Sequence, residues 1–127
     1  MKAVLVDTSV WVDHFRRRKT ALSNLLTSDT VLMHPMVLAE LACGTPPAPR
    51  ARTLHDLGLL QQTRQISLPE VMDFIDREQL FGLGCGLVDM VLLASTLITP
   101  GTVLWTLDKR LSALSERFGV GYQLASP

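Results

Sequence analysis

The sequence predicts an α/β fold, a three-layer α/β/α sandwich around a central, mostly parallel sheet of about five strands. Short apolar, β-branched runs at Ala3–Val6 and Thr102–Trp105 have the pattern of strands buried on both faces. Segments with helical period, 20–28 and Leu87–Ile98 among them, alternate with such runs. Parallel strands need crossover connections, and helices normally supply them, so this alternation places helices on both faces of the sheet. The 127 residues suit one domain, 1–127, and are too few for two.

The first strand ends on Asp7, where Thr8 and Ser9 offer N-cap chemistry for a short helix through Val10, Trp11 and Phe15. Four successive cations, Arg16, Arg17, Arg18 and Lys19, close that segment. A helix over 20–28 then buries Ala21, Leu22, Leu25 and Leu26, and a strand follows at 30–33. Pro35 opens a helix that stops near Gly44 and carries Glu40. Pro46, Pro47 and Pro49 form a stiff connector into a helix over 51–57, halted by Gly58, with a brief strand at 65–67. Pro69 opens another helix through Arg77, after which Gly82, Gly84 and Gly86 break the chain. Leu87–Ile98 is apolar around most of its circumference and reads as an interior helix whose one charge is Asp89. A helix beginning over 106–108 and stopped by Gly119 precedes a last strand at 122–124. The methionines Met33, Met36, Met72 and Met90 and the aromatics read as core, with Trp11 also placed to meet a partner peptide.

Composition narrows the function. With 47% hydrophobic and 19% charged residues the chain lies outside the disordered class. Twelve basic and twelve acidic residues cancel, so nucleic-acid binding has to come from local patches. Cys43 and Cys85 are far apart, with no CxxC pair or Cys/His cluster, which argues against a disulfide framework and a zinc site and suits a reducing cytoplasm. The apolar run before Asp7 is too short for a signal peptide, and the stretch containing Asp89 is too short for a membrane span.

Eight of the acids, Asp13, Asp29, Asp56, Glu70, Asp73, Asp76, Glu78 and Glu116, sit among charges, on turns or on polar helix faces and read as solvated. Asp7, Glu40, Asp89 and Asp108 are instead embedded in apolar, core-forming segments. A buried carboxylate is costly unless it is paired, hydrogen-bonded or bound to metal, and no cation lies in the helices of Glu40 and Asp89. A divalent ion answers both the burial and the repulsion within a cluster, and an all-oxygen donor set selects Mg²⁺ or Mn²⁺. Asp7 and Asp108 both follow strands, at the carboxyl ends where open α/β sheets form their ligand crevice. Taken singly, Asp7 also fits a helix cap, Asp89 and Asp108 fit dipole partners in a first turn, and Glu40 fits a polar helix face.

With these residues in place, the chain resembles the PIN domain family and, within it, the VapC toxins of toxin–antitoxin pairs. The likeness runs over nearly the whole chain: Asp7-Thr8-Ser9-Val10-Trp11 is similar to the opening motif, and Glu40 to the second acid. Asp89, with Leu93 and Ala94 following, is similar to the third acid, and Thr106-Leu107-Asp108 to the fourth. Many relatives carry an aromatic shortly after that acid, where this chain has Leu111. The resemblance implies a five-stranded parallel sheet, a metal-dependent nuclease that cuts RNA, a cognate antitoxin that blocks it, and a homodimer.

On that basis Asp7, Asp89 and Asp108 are expected to hold one or two Mg²⁺ or Mn²⁺ ions, with Glu40 as a further ligand or an orienting group. Ser9 and Thr106 are candidates to position a ligand or a phosphate oxygen, and equally fit ordinary capping. Arg16, Arg17, Arg18 and Lys19 on one flank and Lys109 and Arg110 on the other are candidate RNA contacts, or else a solvated face or an antitoxin contact. His14, His34 and His55 form no evident pair and read as surface or cap histidines. An aspartate-phosphorylating enzyme would want a second Asp where Ser9 stands. The glycine series lacks the spacing of a dinucleotide-binding loop. A non-catalytic PIN-like module for RNA or protein binding is the alternative reading.

Overall fold

The computed structural model describes residues 2–124. Strand β1 (Ala3–Val6) lies between β2 (Val31–Leu32) and β3 (Thr102–Trp105) in a parallel sheet of order β2-β1-β3. Val4 stands opposite Val31 on one side, and Ala3 through Val6 run opposite Thr102 through Trp105 on the other. Helices α1 (Thr8–Arg17) and α2 (Thr20–Thr27) connect β1 to β2. Helices α3 (Pro35–Cys43), α4 (Arg50–Gly58), α5 (Leu68–Arg77) and α6 (Leu87–Ile98) connect β2 to β3, and α7 (Lys109–Arg117) follows β3.

Among the described residues the sheet has three strands where about five were expected. The outer two positions shrink to single bridges, Met33 with Gln62 beyond β2 and Leu104 with Gly121 beyond β3. Each bridge is closed by a pair of backbone bonds: Met33 N–H to Gln61 and Thr63 N–H to Met33, then Leu104 N–H to Val120 and Tyr122 N–H to Leu104. The segments 65–67 and 122–124 themselves form no strand. Ile66, which marked the first of them in the sequence, packs as a half-buried side chain against the core. The pairing falls instead on the polar Gln61-Gln62-Thr63, where apolar patterning gives no signal.

Helix α6 is interior, as its composition predicts: Met90 through Thr96 are all buried, and it packs against β3, α5 and α7. A second group stacks α1 on α3 and α3 on α4. Trp11 is 1% exposed and belongs to the core, so it is not a surface for a partner peptide. Met72 departs from expectation in the other direction at 63% exposed. Val71 and Phe74 carry the buried face of α5, and Met72 lies about 100° round the helix from Val71. No helix among the described residues is long and apolar enough to cross a membrane.

Each strand hands over to a helix through one polar residue. Asp7 caps α1 directly after β1, in place of Thr8 and Ser9, which lie inside the helix. Asp108 caps α7 a few residues past β3. His34 caps α3 after β2, its Nδ1 accepting the Met36 N–H at 3.0 Å. All three therefore gather at the carboxyl end of the sheet.

His34 is buried, and burial lowers its pKa from the ordinary 6.5. The folded chain thus resists a proton that the unfolded chain accepts, so this residue's contribution to stability declines as the pH falls below about 6.5. His34→Asn keeps a capping acceptor and removes the titration. Urea midpoints at pH 7.5 and 5.5 are expected to lie closer together in this variant than in the wild type.

Candidate functional site

Asp7 is the most enclosed of the four acids, at 7% exposure. Its Oδ1 accepts the Thr8 N–H at 2.8 Å, and its Oδ2 accepts the Ser9 hydroxyl at 2.8 Å and the Thr106 hydroxyl at 2.7 Å. Those two hydroxyls lie 3.5 Å apart. Each has one proton, already given to Asp7, so no hydrogen bond remains between them. They accept instead: Ser9 Oγ from the Leu107 N–H at 3.1 Å and Thr106 Oγ1 from the Asp108 N–H at 3.0 Å. Ser9 and Thr106 thus bind the start of α1 to the turn after β3, a role distinct from ordinary capping.

The same network reaches two further acids. Thr8 Oγ1 donates to Glu40 Oε1 at 2.6 Å, joining α1 to α3. Asp108 Oδ1 accepts the Leu111 N–H at 2.9 Å as the cap of α7. Asp89 is held separately, its Oδ2 accepting the Gly86 N–H at 3.3 Å across the first turn of α6. Among the described residues, Glu40 Oε2, Asp89 Oδ1 and Asp108 Oδ2 accept no protein hydrogen bond.

Burial by itself does not define this set. Asp89 is half-buried, while Glu40 and Asp108 are exposed, although their sequence neighbours are apolar. The apolar side chains of α3 face inward at Val37 and Leu41, and Asp108 has already left the buried strand. What unites the four is charge. Burial raises the pKa of Asp89, the Gly86 N–H opposes that rise, and the charges of Asp7, Asp108 and Glu40 push it up again. One carboxylate therefore senses all three others.

The donors are carboxylate oxygens only, three of them without a protein partner, and their mutual repulsion is of the kind a hard divalent cation relieves. In chemistry the set fits Mg²⁺ or Mn²⁺. Among the described residues no three His, Cys, Asp or Glu side chains stand together at ligating range. Cys85, which the sequence did not single out, borders the acids: burial raises its thiol pKa, Asp89 and Asp108 raise it further, and Arg110 lowers it.

The cations divide unequally. Asp13 binds Arg17 at 2.7 Å and Lys19 at 2.6 Å, and these bonds hold its carboxyl at about 2. Arg110 lies over Gly84, donating to its carbonyl at 3.3 Å. Arg16, Arg18 and Lys109 are exposed and form no ion pair among the described residues. The other acids read as solvated are exposed, except Glu78, which is half-buried and lies 3.7 Å from Arg77. Thr8 as the clamp on Glu40 had no signal in the sequence, because the two are 32 residues apart.

A model of the PIN domain matches residues 4–117. The chain is 41% identical over 117 residues to Ribonuclease VapC32 of Mycobacterium tuberculosis strain ATCC 25618 / H37Rv, covering 92% of this chain and 94% of that protein. The protein of the same name from strain CDC 1551 / Oshkosh matches to the same extent, 41% over 117 residues.

Removing one hydroxyl leaves Asp7 Oδ2 a remaining donor, and removing both leaves it none. Thr106→Val and Ser9→Ala are each expected to lower unfolding stability by about 1–2 kcal/mol. The double variant is expected to lose more than the sum of the two. Urea denaturation of the four proteins checks this cycle.

Proposed function

This chain belongs to the PIN domain family, and from that membership we propose that it is a divalent-metal endoribonuclease, the toxin of a VapBC-like pair held inactive by a cognate antitoxin. One PIN domain spans the chain, working as a homodimer in the cytoplasm. The observation that carries the catalytic part is the buried, triply hydrogen-bonded Asp7, together with the charges of Asp7, Glu40 and Asp108 acting on Asp89.

Asp7, Asp89 and Asp108 would hold Mg²⁺ or Mn²⁺, with Glu40 as a further ligand or an orienting group. The ion supplies Lewis acidity, lowering the pKa of water and offsetting charge on the phosphodiester. Everything else falls to the chain. Ser9, Thr106 and the Thr8 N–H fix the Asp7 carboxylate, so its orientation needs no rearrangement when substrate arrives. Thr8 restrains Glu40 through one oxygen and leaves the other available. Asp89 is held through one oxygen by the Gly86 N–H and keeps the other available. Attack of water on phosphorus breaks the P–O3′ bond, leaving a 3′-hydroxyl and a 5′-phosphate. Arg16, Arg18, Lys109 and Arg110 are the cations available to RNA phosphates, with Arg17 and Lys19 partly neutralised by Asp13.

RNA incubated with Mg²⁺ or Mn²⁺ is expected to be cut to 5′-phosphate ends, with EDTA abolishing the reaction. Asp7→Asn should slow cleavage on the order of a hundredfold or more. Cyclic phosphate formed in EDTA, or equal rates for wild type and Asp7→Asn, would contradict the mechanism. A small DNA-binding protein with an extended tail, encoded beside this chain, is expected to suppress the cleavage.

A further inference from the structure

Between α1, α3 and the proline-rich connector lies a cavity of about 400 Å³, with Glu40 among its lining residues. Val12, Phe15, Leu41, Pro46 and Pro47 supply apolar wall, and Arg16 is the one cation among its described lining residues. We propose that this cavity is a subsite for an unpaired nucleobase next to the scissile phosphodiester, with Arg16 holding the adjoining phosphate. The inference rests on the ribonuclease reading and deepens it.

Volume, wall chemistry and charge agree on this occupant. The cavity falls in the range of small-ligand sites, about 300–1,000 Å³. A protein partner would need roughly 1,200 Å² of total buried surface for a stable interface, far more than a feature of this scale offers. An aromatic ring in the wall, Phe15, suits a base, because every base has a π-face whatever its sequence, and the two prolines add apolar contact. Arg16 is the member of the basic run that faces the cavity without being drawn to Asp13, which takes Arg17 and Lys19. Its guanidinium can therefore engage a phosphate in two bonds at once. Glu40 belongs both to this cavity and, through Thr8, to the network around Asp7. A base seated here would thus lie against a residue of that network. A base still paired in a helix cannot enter without being unstacked, so single-stranded RNA is the form that fits.

The test is cleavage of a random-sequence RNA pool with Mn²⁺, with every cut mapped by end sequencing. Wild-type cuts are expected to show a base preference at one fixed position beside the scissile bond. Thr45→Phe, which enlarges a side chain lining the cavity, and Arg16→Ala, which removes its cation, are expected to flatten that preference. Both should raise KM about tenfold, with the loss falling on KM rather than kcat. Arg52→Ala, which removes an exposed cation on α4 away from the cavity, should cut as wild type does. Wild-type preference and KM in both cavity variants would overturn the subsite and leave the nuclease standing. So would variants that weaken only inhibition by the antitoxin, since that would assign the cavity to a protein. No metal-dependent cleavage by the wild type would remove the ribonuclease reading and the subsite with it.

Discussion

A carboxylate enclosed at the end of the middle strand is the constraint around which the molecule is arranged. Asp7 is 7% exposed, and the cost of removing that charge from water is offset by three donors placed on it. Two come from α1, and the third comes from Thr106, 99 residues further along the chain. The bond can form only because β3 lies in parallel register beside β1, with Val6 opposite Trp105. Sheet pairing and the anchoring of the acid are therefore a single structural event.

The bland and the functional readings of these acids turn out not to compete. Asp7 is a helix cap, as its position suggests, and Asp108, which the sequence placed in a first turn, is the cap that precedes one. Asp108 caps with one oxygen and keeps the other, and Glu40 and Asp89 are likewise engaged at one oxygen each. An ionised carboxylate has about four acceptor positions, so a cap leaves room for another ligand. Capping also aims the group, because the backbone N–H that it accepts sets the direction of the carboxylate plane. At β2 the equivalent handover is made by His34, a buried neutral ring, so the charge concentrates toward β1 and β3.

The basic run shows how much tertiary context sorts residues that look alike in sequence. Arg16, Arg17, Arg18 and Lys19 are consecutive, and by charge alone all four match a phosphate equally. The turn of α1 places Asp13 four residues before Arg17, and the chain reversal at Arg18 brings Lys19 back to the same carboxylate. That reversal is held by the Lys19 N–H bond to His14 Nδ1 at 2.9 Å. Arg16 is left facing the cavity beside Glu40.

The sequence by itself determined the α/β class and the interior helix around Asp89, and it singled out four acids by their apolar neighbours. Each of these is written in local patterning: β-branched runs, a helix apolar all round, and charges with apolar neighbours. Tertiary structure alone decided how enclosed each acid is, since Glu40 and Asp108 have apolar neighbours yet stand in the open. It also decided the outer sheet positions, where polar Gln62 and Gly121 make single bridges that no hydrophobic period announces. The roles of Thr8, Ser9 and Thr106 belong to the same class, because a hydroxyl's partner depends on which distant backbone passes within about 3 Å of it. Local periodicity encodes which face of a segment is buried; it carries no information about which segments meet.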